Sequence, residues 1–134
     1  MKRFLRMAVA KFARDSKGSA TVETVLWLPL FFLAFGLMTD VAMIFNGHSQ
    51  VMRVVQDANR NRSVGRLEAD AQVVEYVVQS LSAIAPNASA TSSITAGVVT
   101  TVVTVPATDL EVLGLFTALN ELNLTITSQQ YVEF

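Results

Sequence analysis

The feature that most restricts the fold of this chain is a run of sixteen residues without a charged side chain, TVLWLPLFFLAFGLMT, from Thr24 to Thr39. The wider segment from Val22 to Phe45 contains only two charged residues, Glu23 and Asp40. As a helix it would be about 36 Å long, and the hydrocarbon core of a bilayer is about 30 Å thick. Hydrophobic residues make up 51% of the chain and charged residues only 16%, which is apolar for a water-soluble protein. We therefore predict a membrane-spanning helix.

A cleavable secretory signal is the main alternative for this segment, since such signals also have a basic region followed by an apolar one. The apolar stretch here is long for a signal. A cleavage site of the Ala-x-Ala type should follow it, but Thr39, Asp40 and further helix-like sequence stand at that place. The sequence therefore favours a helix that remains in the membrane.

The charges are unevenly distributed along the chain. Residues 1–18 carry six basic residues and one acidic residue, a net charge of +5, whereas residues 19–134 carry four arginines and ten acidic residues, a net charge of −6. A basic end directly before an apolar segment predicts a cytoplasmic N-terminus and an extracytoplasmic C-terminus. No basic residue follows Arg66, so nucleic acid is not an expected partner.

Helical periodicity continues beyond the apolar segment, which predicts one long helix that leaves the membrane. Its stripe consists of Val41, Ile44, Phe45, His48, Val51, Met52, Val55 and Ala58. The polar stretch Asn59 to Gly65 (NRNRSVG) predicts a break or turn. A second amphipathic helix is predicted to end at Pro86. Its stripe consists of Leu67, Ala71, Val74, Val77, Val78, Leu81, Ile84 and Ala85.

The C-terminal third of the chain predicts a small sheet. Ala88 to Ser93 is expected to be a loop, and the β-branched stretch Ile94 to Val105 a strand. Leu122 to Phe134 alternates apolar and polar residues, as in a strand with one covered face. Between the strands, Asp109 is a plausible N-cap for a short helical connection to Leu119. The apolar tip of that connection, LGLF, could bury against a neighbour or touch the membrane.

The most informative motif is KGSATVE, Lys17 to Glu23, in which an acid opens the apolar helix. A carboxylate at the centre of a membrane helix costs about 2.5–3.5 kcal/mol, so such groups are usually paired. A cut between Gly18 and Ser19 would create an α-amino group that can pair with Glu23. At roughly 4 Å and an effective dielectric constant near 20, that attraction is about 4 kcal/mol, which is comparable with the cost.

The stretch RDSKGSATVETVLWLPLFF resembles the processing site of type IV pilins and pseudopilins, and in particular the TadE-like pseudopilins of the tight-adherence pilus system. The matching features are the Arg-Asp stretch, Gly18, Val-Glu at Glu23 and the Leu-Pro at Pro29. The resemblance implies cleavage by a prepilin peptidase between Gly18 and Ser19. It also implies insertion in the bacterial inner membrane and use as a minor or initiating subunit of an adhesive filament.

The resulting prediction is an α+β, pilin-like fold, in which a long membrane-spanning helix continues into an extracytoplasmic helix, followed by a second amphipathic helix and a small antiparallel C-terminal sheet. The expected divisions are a basic leader at residues 1–18, a transmembrane and assembly helix at 19–45, and an extracytoplasmic domain at 46–134. The partners that the resemblance implies are the prepilin peptidase, other pilin and pseudopilin subunits, the inner-membrane assembly platform and the lipid bilayer.

Three residues of the long helix have expected roles. Glu23 is predicted to be an assembly contact. Pro29 removes a backbone donor and predicts a kink or a loosened turn. Asp40 is expected at the outer membrane interface, with pairing to an arginine of another subunit as the sharper possibility.

Catalysis is not predicted for this chain. It has no cysteine, which excludes thiolate metal sites and cysteine nucleophiles. His48 is the single histidine, and no set of nucleophile, base and orienting group can be assembled around it. We expect no enzyme activity, no cofactor and no metal. The alternative to a filament subunit is an unprocessed single-pass membrane protein with a small extracytoplasmic interaction domain.

Overall fold

The computed structural model describes residues 17–115, 118 and 122–133. In chain order the elements are helix α1 (Lys17–Ser63), helix α2 (Asp70–Leu81), strands β1 (Ser89–Thr95) and β2 (Val98–Pro106), a 3₁₀ turn (Ala107–Asp109) and strand β3 (Asn123–Tyr131). This arrangement of a long apolar helix, a second helix and a small antiparallel sheet confirms the predicted α+β class. Residues 1–16 of the predicted leader lie outside the described residues, as do residues 116, 117, 119–121 and 134.

The chain divides into two compact units between Gly36 and Leu37. The described part of the first unit is the beginning of α1, and every side chain in it from Ala20 to Phe35 is exposed. Apolar side chains dominate this surface, among them Leu26 at 73% and Phe32 at 71% exposure. Only 11% of the most apolar eighteen-residue window is buried, so this part of the helix is not the core helix of a soluble domain.

The second unit has its own hydrophobic core, to which both helices and the sheet contribute. Helix α1 presents Val51, Val55 and Ala58 to it, at the three- and four-residue spacing that places side chains on one face. Helix α2 presents Val73, Val77 and Leu81. Alternate residues of β2 are buried because successive side chains of a strand point to opposite faces.

The sheet has the order β1-β2-β3, with both neighbouring pairs antiparallel. The β1–β2 connection is a two-residue turn in which Ala96 (φ 51°) and Gly97 (φ 76°) both have positive φ. Positive φ at both central positions is the geometry of the type I′ hairpin turn, whose twist matches that of the flanking strands. Ala96 is the only non-glycine residue with positive φ in the described part of the chain.

Two strand predictions were wrong in their boundaries. The predicted loop Ala88 to Ser93 is mostly strand β1, and the single strand predicted from Ile94 to Val105 contains the hairpin turn. Small polar residues were interpreted as a loop, although every residue of β1 pairs with β2 in the register Ser89↔Thr104 to Thr95↔Val98. Tertiary pairing therefore overrides the weak local preference of serine and alanine for a strand.

The predicted break at Asn59 to Gly65 was wrong in its first five residues, because α1 continues to Ser63. The turn begins at Val64, whose N–H donates to the carbonyl of Arg60. The predicted stripe of the second helix was also inexact. Val73 is buried where Val74 was expected, and Val78 is 39% exposed.

A short chain of hydrogen-bonded polar groups connects α1 at Asn59 to all three strands. The Asn59 side chain donates to the carbonyl of Ser128 in β3 at 2.9 Å and accepts from the Thr101 hydroxyl in β2 at 2.5 Å. The Thr101 hydroxyl also lies 3.0 Å from the hydroxyl of Ser92 in β1. Asn59 and Thr101 are fully buried, so these bonds satisfy polar groups that would otherwise be costly.

Candidate functional site

The predicted processing site lies at the beginning of α1. The helix starts at Lys17, so the Gly18–Ser19 bond belongs to its first turn. One turn further on, the Thr24 hydroxyl donates to the carbonyl of Ala20 at 2.8 Å. The hydroxyl proton of Thr24 is therefore bonded within its own helix, so this polar side chain needs no external partner for that proton in an apolar segment.

Glu23 is exposed on this helix among exposed apolar side chains. It borders a shallow surface formed by Trp27, Leu28 and Phe31. The rings of Trp27 and Phe31 lie 6.2 Å apart, centroid to centroid, at an interplanar angle of 41°, within the range of favourable aromatic pairs. The structure therefore presents a carboxylate beside an aromatic and aliphatic surface of the same helix.

Pro29 lies inside α1, which is assigned as a helix on both sides of it. The local kink expected at this proline remains a prediction. Proline lacks the N–H that would bond to the carbonyl four residues earlier, which here is the carbonyl of Val25.

The most developed polar arrangement of the second unit surrounds Asp40. Its Oδ1 accepts hydrogen bonds from the backbone N–H groups of Val112 at 3.1 Å and Leu113 at 2.7 Å. Its Oδ2 accepts one from the N–H of Leu115 at 2.8 Å. The Asp40 side chain is fully buried. A carboxylate that receives several N–H groups forms charge-assisted bonds, which are about twice as strong as neutral ones.

The backbone of this loop is shaped to receive an anion. Gly114 has a φ of 72°, which reverses the chain direction so that N–H groups on both sides of it reach the same carboxylate. Successive N–H groups that converge in this way form an anion-binding concavity. We call residues 112–115 the Asp40 loop.

A second contact holds the same segment against α1. Gly47 lies seven residues after Asp40, about 10 Å along the helix. A Cβ built on Gly47 would lie 2.6 Å from Cδ2 of Leu110 and 3.1 Å from its Cγ. Since Leu110 is itself buried at 6% exposure, a side chain at Gly47 would force the Leu110 side chain to shift within the core.

The Asp40 loop nevertheless exposes apolar side chains. Val112 is 62% exposed and Leu113 is 56% exposed. On α1 near Asp40, Met38 is 67% exposed and Phe45 is 69% exposed. The backbone of the loop is therefore fixed by a buried carboxylate, while its large side chains are left on the surface.

Comparison with protein families gave a match over most of α1. Residues 18–60 match the family described as TadE-like protein. This part of the chain, about a third of its length, is similar to that family. The match begins at Gly18 and ends near the end of α1, so it includes Glu23, Pro29 and Asp40. No curated protein and no solved structure matched the chain.

The TadE-like segment places the predicted site residues on one continuous helix. The structure joins Asp40 to the Asp40 loop. It shows where Gly18, Ser19 and Glu23 lie, but their roles in processing and assembly remain predictions. Asp40 as a membrane-interface or subunit contact also remains a prediction.

Sequence reasoning missed the partners of Asp40 and Asn59. A signal for the first was available, because Gly114 within the apolar LGLF stretch permits the positive φ that an anion-binding turn needs. The second had a weaker signal. Thr101 and Ser92 are common strand residues, and nothing in their spacing indicates a bond to a residue 42 positions away.

Proposed function

We propose that this chain is a minor pilin or pseudopilin, cleaved after Gly18 by a prepilin peptidase, that takes part in the assembly or initiation of an adhesive tight-adherence pilus. One observation carries the proposal. The TadE-like match covers a helix whose first half exposes its apolar side chains. TadE-like proteins are associated with the tight-adherence pilus, and one N-terminal apolar helix indicates a single-pass membrane protein.

In this proposal the exposed half of α1 has two successive environments. It lies first in the inner membrane, where an apolar helix satisfies its own backbone groups. It then packs against the same helices of other pilin and pseudopilin subunits when the inner-membrane platform assembles the filament. Both environments cover apolar side chains such as Leu26 and Phe32, which are exposed in the single chain.

Glu23 supplies specificity in this scheme. The cut after Gly18 makes Ser19 the first residue and Glu23 the fifth. The new α-amino group of one subunit would then pair with the Glu23 carboxylate of another. Because an uncompensated carboxylate in an apolar environment is costly, the pair forms only when the helices are in the correct register.

Cleavage can be tested through the lysine content of the chain. Lysines occur only at residues 2, 11 and 17, so residues 19–134 contain none. A chain cut after Gly18 has the α-amino group of Ser19 as its only primary amine. Intact mass and amine-reactive labelling of the membrane-extracted protein should therefore give a product without residues 1–18 that takes up a single label. A chain that still carries Met1 and its lysines, from cells with an active prepilin peptidase, would refute the proposal.

The glycine at the cut provides a direct variant. Gly18→Leu should leave the full-length precursor, because the residue before the cut must have almost no side-chain volume. Ala20→Leu is the matched control, since it adds the same bulk two residues later on an exposed part of α1. Equal cleavage of both variants would show that the cut lies elsewhere.

The role of Glu23 is separable from cleavage. Glu23→Ala and Glu23→Gln should be cleaved and retained in the membrane, and should fail to enter filaments or to support their formation. Glu68→Gln removes an exposed acid from the second unit and should assemble normally. Normal assembly of both Glu23 variants would make this carboxylate a bystander.

The proposed orientation places the N-terminus in the cytoplasm and the C-terminus outside it. A reporter that is active only in the periplasm should be active when fused after Phe134 and inactive when fused near Arg14. The reverse pattern would overturn the orientation and would leave cleavage without a mechanism. The alternative function, an unprocessed single-pass protein with a small extracytoplasmic interaction domain, predicts the same reporter pattern but no cut after Gly18.

A further inference from the structure

The length of the uncharged run poses a problem for a helix that spans a membrane. A span requires about 20 apolar residues, and the run from Thr24 to Thr39 has sixteen. A span built around this run must therefore take in Glu23, Asp40 or both. The two carboxylates differ in burial and in the number of hydrogen bonds that they accept within the protein, and these decide what each would cost in lipid.

Asp40 is the carboxylate that would cost less in lipid. Its side chain is fully buried and accepts three backbone N–H groups, whereas Glu23 is exposed. Acids at membrane depth usually face the protein interior and pair with other groups, which lowers their cost. The residues after Asp40 are again apolar, Val41 to Phe45, and Phe45 is 69% exposed. The apolar span can therefore extend past Asp40 to Phe45, and as a helix from Thr24 it is then about 33 Å long.

An extended span has a consequence for the loop that binds Asp40. Because the N–H groups of Val112, Leu113 and Leu115 bond directly to the Asp40 carboxylate, their backbone lies at the same depth as Asp40. Val112 and Leu113 expose large apolar side chains there. Irregular backbone at membrane depth is tolerated only where it is buried in protein. The three loop N–H groups that bond to the fully buried Asp40 carboxylate meet this condition.

We propose that the Asp40 loop is a second membrane contact, in which Val112 and Leu113 insert into the outer leaflet beside α1. The occupant of this surface is the acyl-chain region of the bilayer. Asp40 is the positioning residue that holds the loop at this depth. The proposal rests on a membrane-spanning α1 and does not depend on cleavage after Gly18.

The chain contains no cysteine, so a single introduced thiol can carry an environment-sensitive fluorophore. Leu113→Cys places the probe on the loop, and Ala96→Cys places it on the exposed hairpin turn as a control. The full chain is reconstituted in phosphatidylcholine–phosphatidylglycerol vesicles that contain lipid with a nitroxide on the acyl chain. Quenching at residue 113 should exceed quenching at residue 96 several-fold.

Two results would overturn the proposal. Equal lipid quenching at residues 113 and 96 would place the loop in water. Protection of residue 113 that increases with protein density, without lipid quenching, would mean that a second copy of the chain covers the loop. Neither result affects the size of the processed product, so failure of this inference is distinguishable from failure of the proposed function.

The positioning role of Asp40 has its own test in the same vesicles. Asp40→Asn keeps an oxygen for the two N–H groups at Oδ1 but turns an NH₂ group toward the N–H of Leu115. Lipid quenching at residue 113 should then fall several-fold. Asp57→Asn is the matched control, because it removes an exposed carboxylate from the same helix and should leave quenching unchanged. Equal quenching in the wild type and both variants would show that Asp40 does not hold the loop in lipid.

Discussion

The two parts of α1 have the same secondary structure, but they differ in whether their apolar side chains are buried within the chain. From Ala20 to Phe35 every side chain is exposed and most are apolar, whereas Val51, Val55 and Ala58 further along are fully buried. The later part therefore obtains its stability from a core within the chain. The earlier part must be covered by lipid or by other helices. Helix formation alone does not reveal which source of burial a segment uses, but the exposed fraction of its side chains does.

The largest effect should come from the same substitution made in both parts of α1. Val55 is 0% exposed and Val25 is 58% exposed. Val55→Asp buries an unpaired charge and should destabilise residues 37–133 by about 3–5 kcal/mol. Val25→Asp should leave their stability unchanged and weaken membrane retention. Hydrogen exchange of β2 amides in the detergent-solubilised full chain measures the first effect, and equal loss of protection in both variants would contradict the comparison.

A smaller effect is expected at Asp40, which lies near the beginning of the second unit. Asp40→Ala leaves three loop N–H groups without their acceptor. The free energy of unfolding should fall by roughly 1.5–3 kcal/mol, the range for one hydrogen bond to a charged group. Chemical denaturation in detergent measures it. A change near zero would mean that water replaces the carboxylate without cost.

A pH-dependent effect is expected where α1 and α2 meet at the surface. The Tyr76 hydroxyl donates to the Asp57 carboxylate at 2.5 Å, and this bond raises the pKa of Tyr76 above its usual value, with burial as a further cause. Since the folded pKa is raised, the stabilisation is fully present below about pH 10, the ordinary tyrosine pKa. It is lost as the pH rises through the folded value. The free energies of unfolding of the wild type and Tyr76→Phe, measured by chemical denaturation, should differ by about 0.5–1 kcal/mol at pH 7 and converge in alkali. A difference that stays constant with pH would exclude this hydrogen bond as the cause.

The smallest expected change is a gain at the hairpin turn. Ala96 has a φ of 51°, which costs a residue with a Cβ about 1 kcal/mol. Ala96→Asn should raise the free energy of unfolding by up to about 1 kcal/mol, because Asn-Gly is the preferred pair for a type I′ turn. Gly97→Ala should act in the opposite direction at its φ of 76°. The same sign for both variants would argue against the turn geometry.

The sequence predicted the existence of both helices because their signals are local, although their ends were predicted less accurately. The apolar run, the stripe at Val51, Val55 and Ala58, and the residue types at Gly18 and Glu23 can all be interpreted within one or two helical turns. The Asp40 loop was missed because it depends on contacts between residues 72 or more positions apart. The hairpin was missed because its turn is Ala96-Gly97, whereas the typical type I′ pairs are Asn-Gly, Asp-Gly and Gly-Gly. The residues of β1 have weak strand preferences, and they form a strand because they pair with β2. Asp40 accepts hydrogen bonds from backbone N–H groups, which every loop has, so the sequence does not show which loop it contacts. The sequence shows that Asp40 is a charged residue in an apolar helix, but only the fold shows which groups bond to it.

The bonds between Asp40 and residues 112–115 can form only late in the synthesis of the chain. Val112 follows Asp40 by 72 positions. At roughly 5–20 residues per second, the ribosome needs about 4–14 s to produce the loop after the aspartate. During that interval the carboxylate has no loop to bind, so it is most favourable in water, at the end of the sixteen-residue run. In the membrane placement proposed above, the nascent chain therefore has a span that takes in Glu23 and ends before Asp40. The span that extends to Phe45 becomes available only after the loop has been synthesised. Insertion and completion of the span are in this way separate events in the life of one helix.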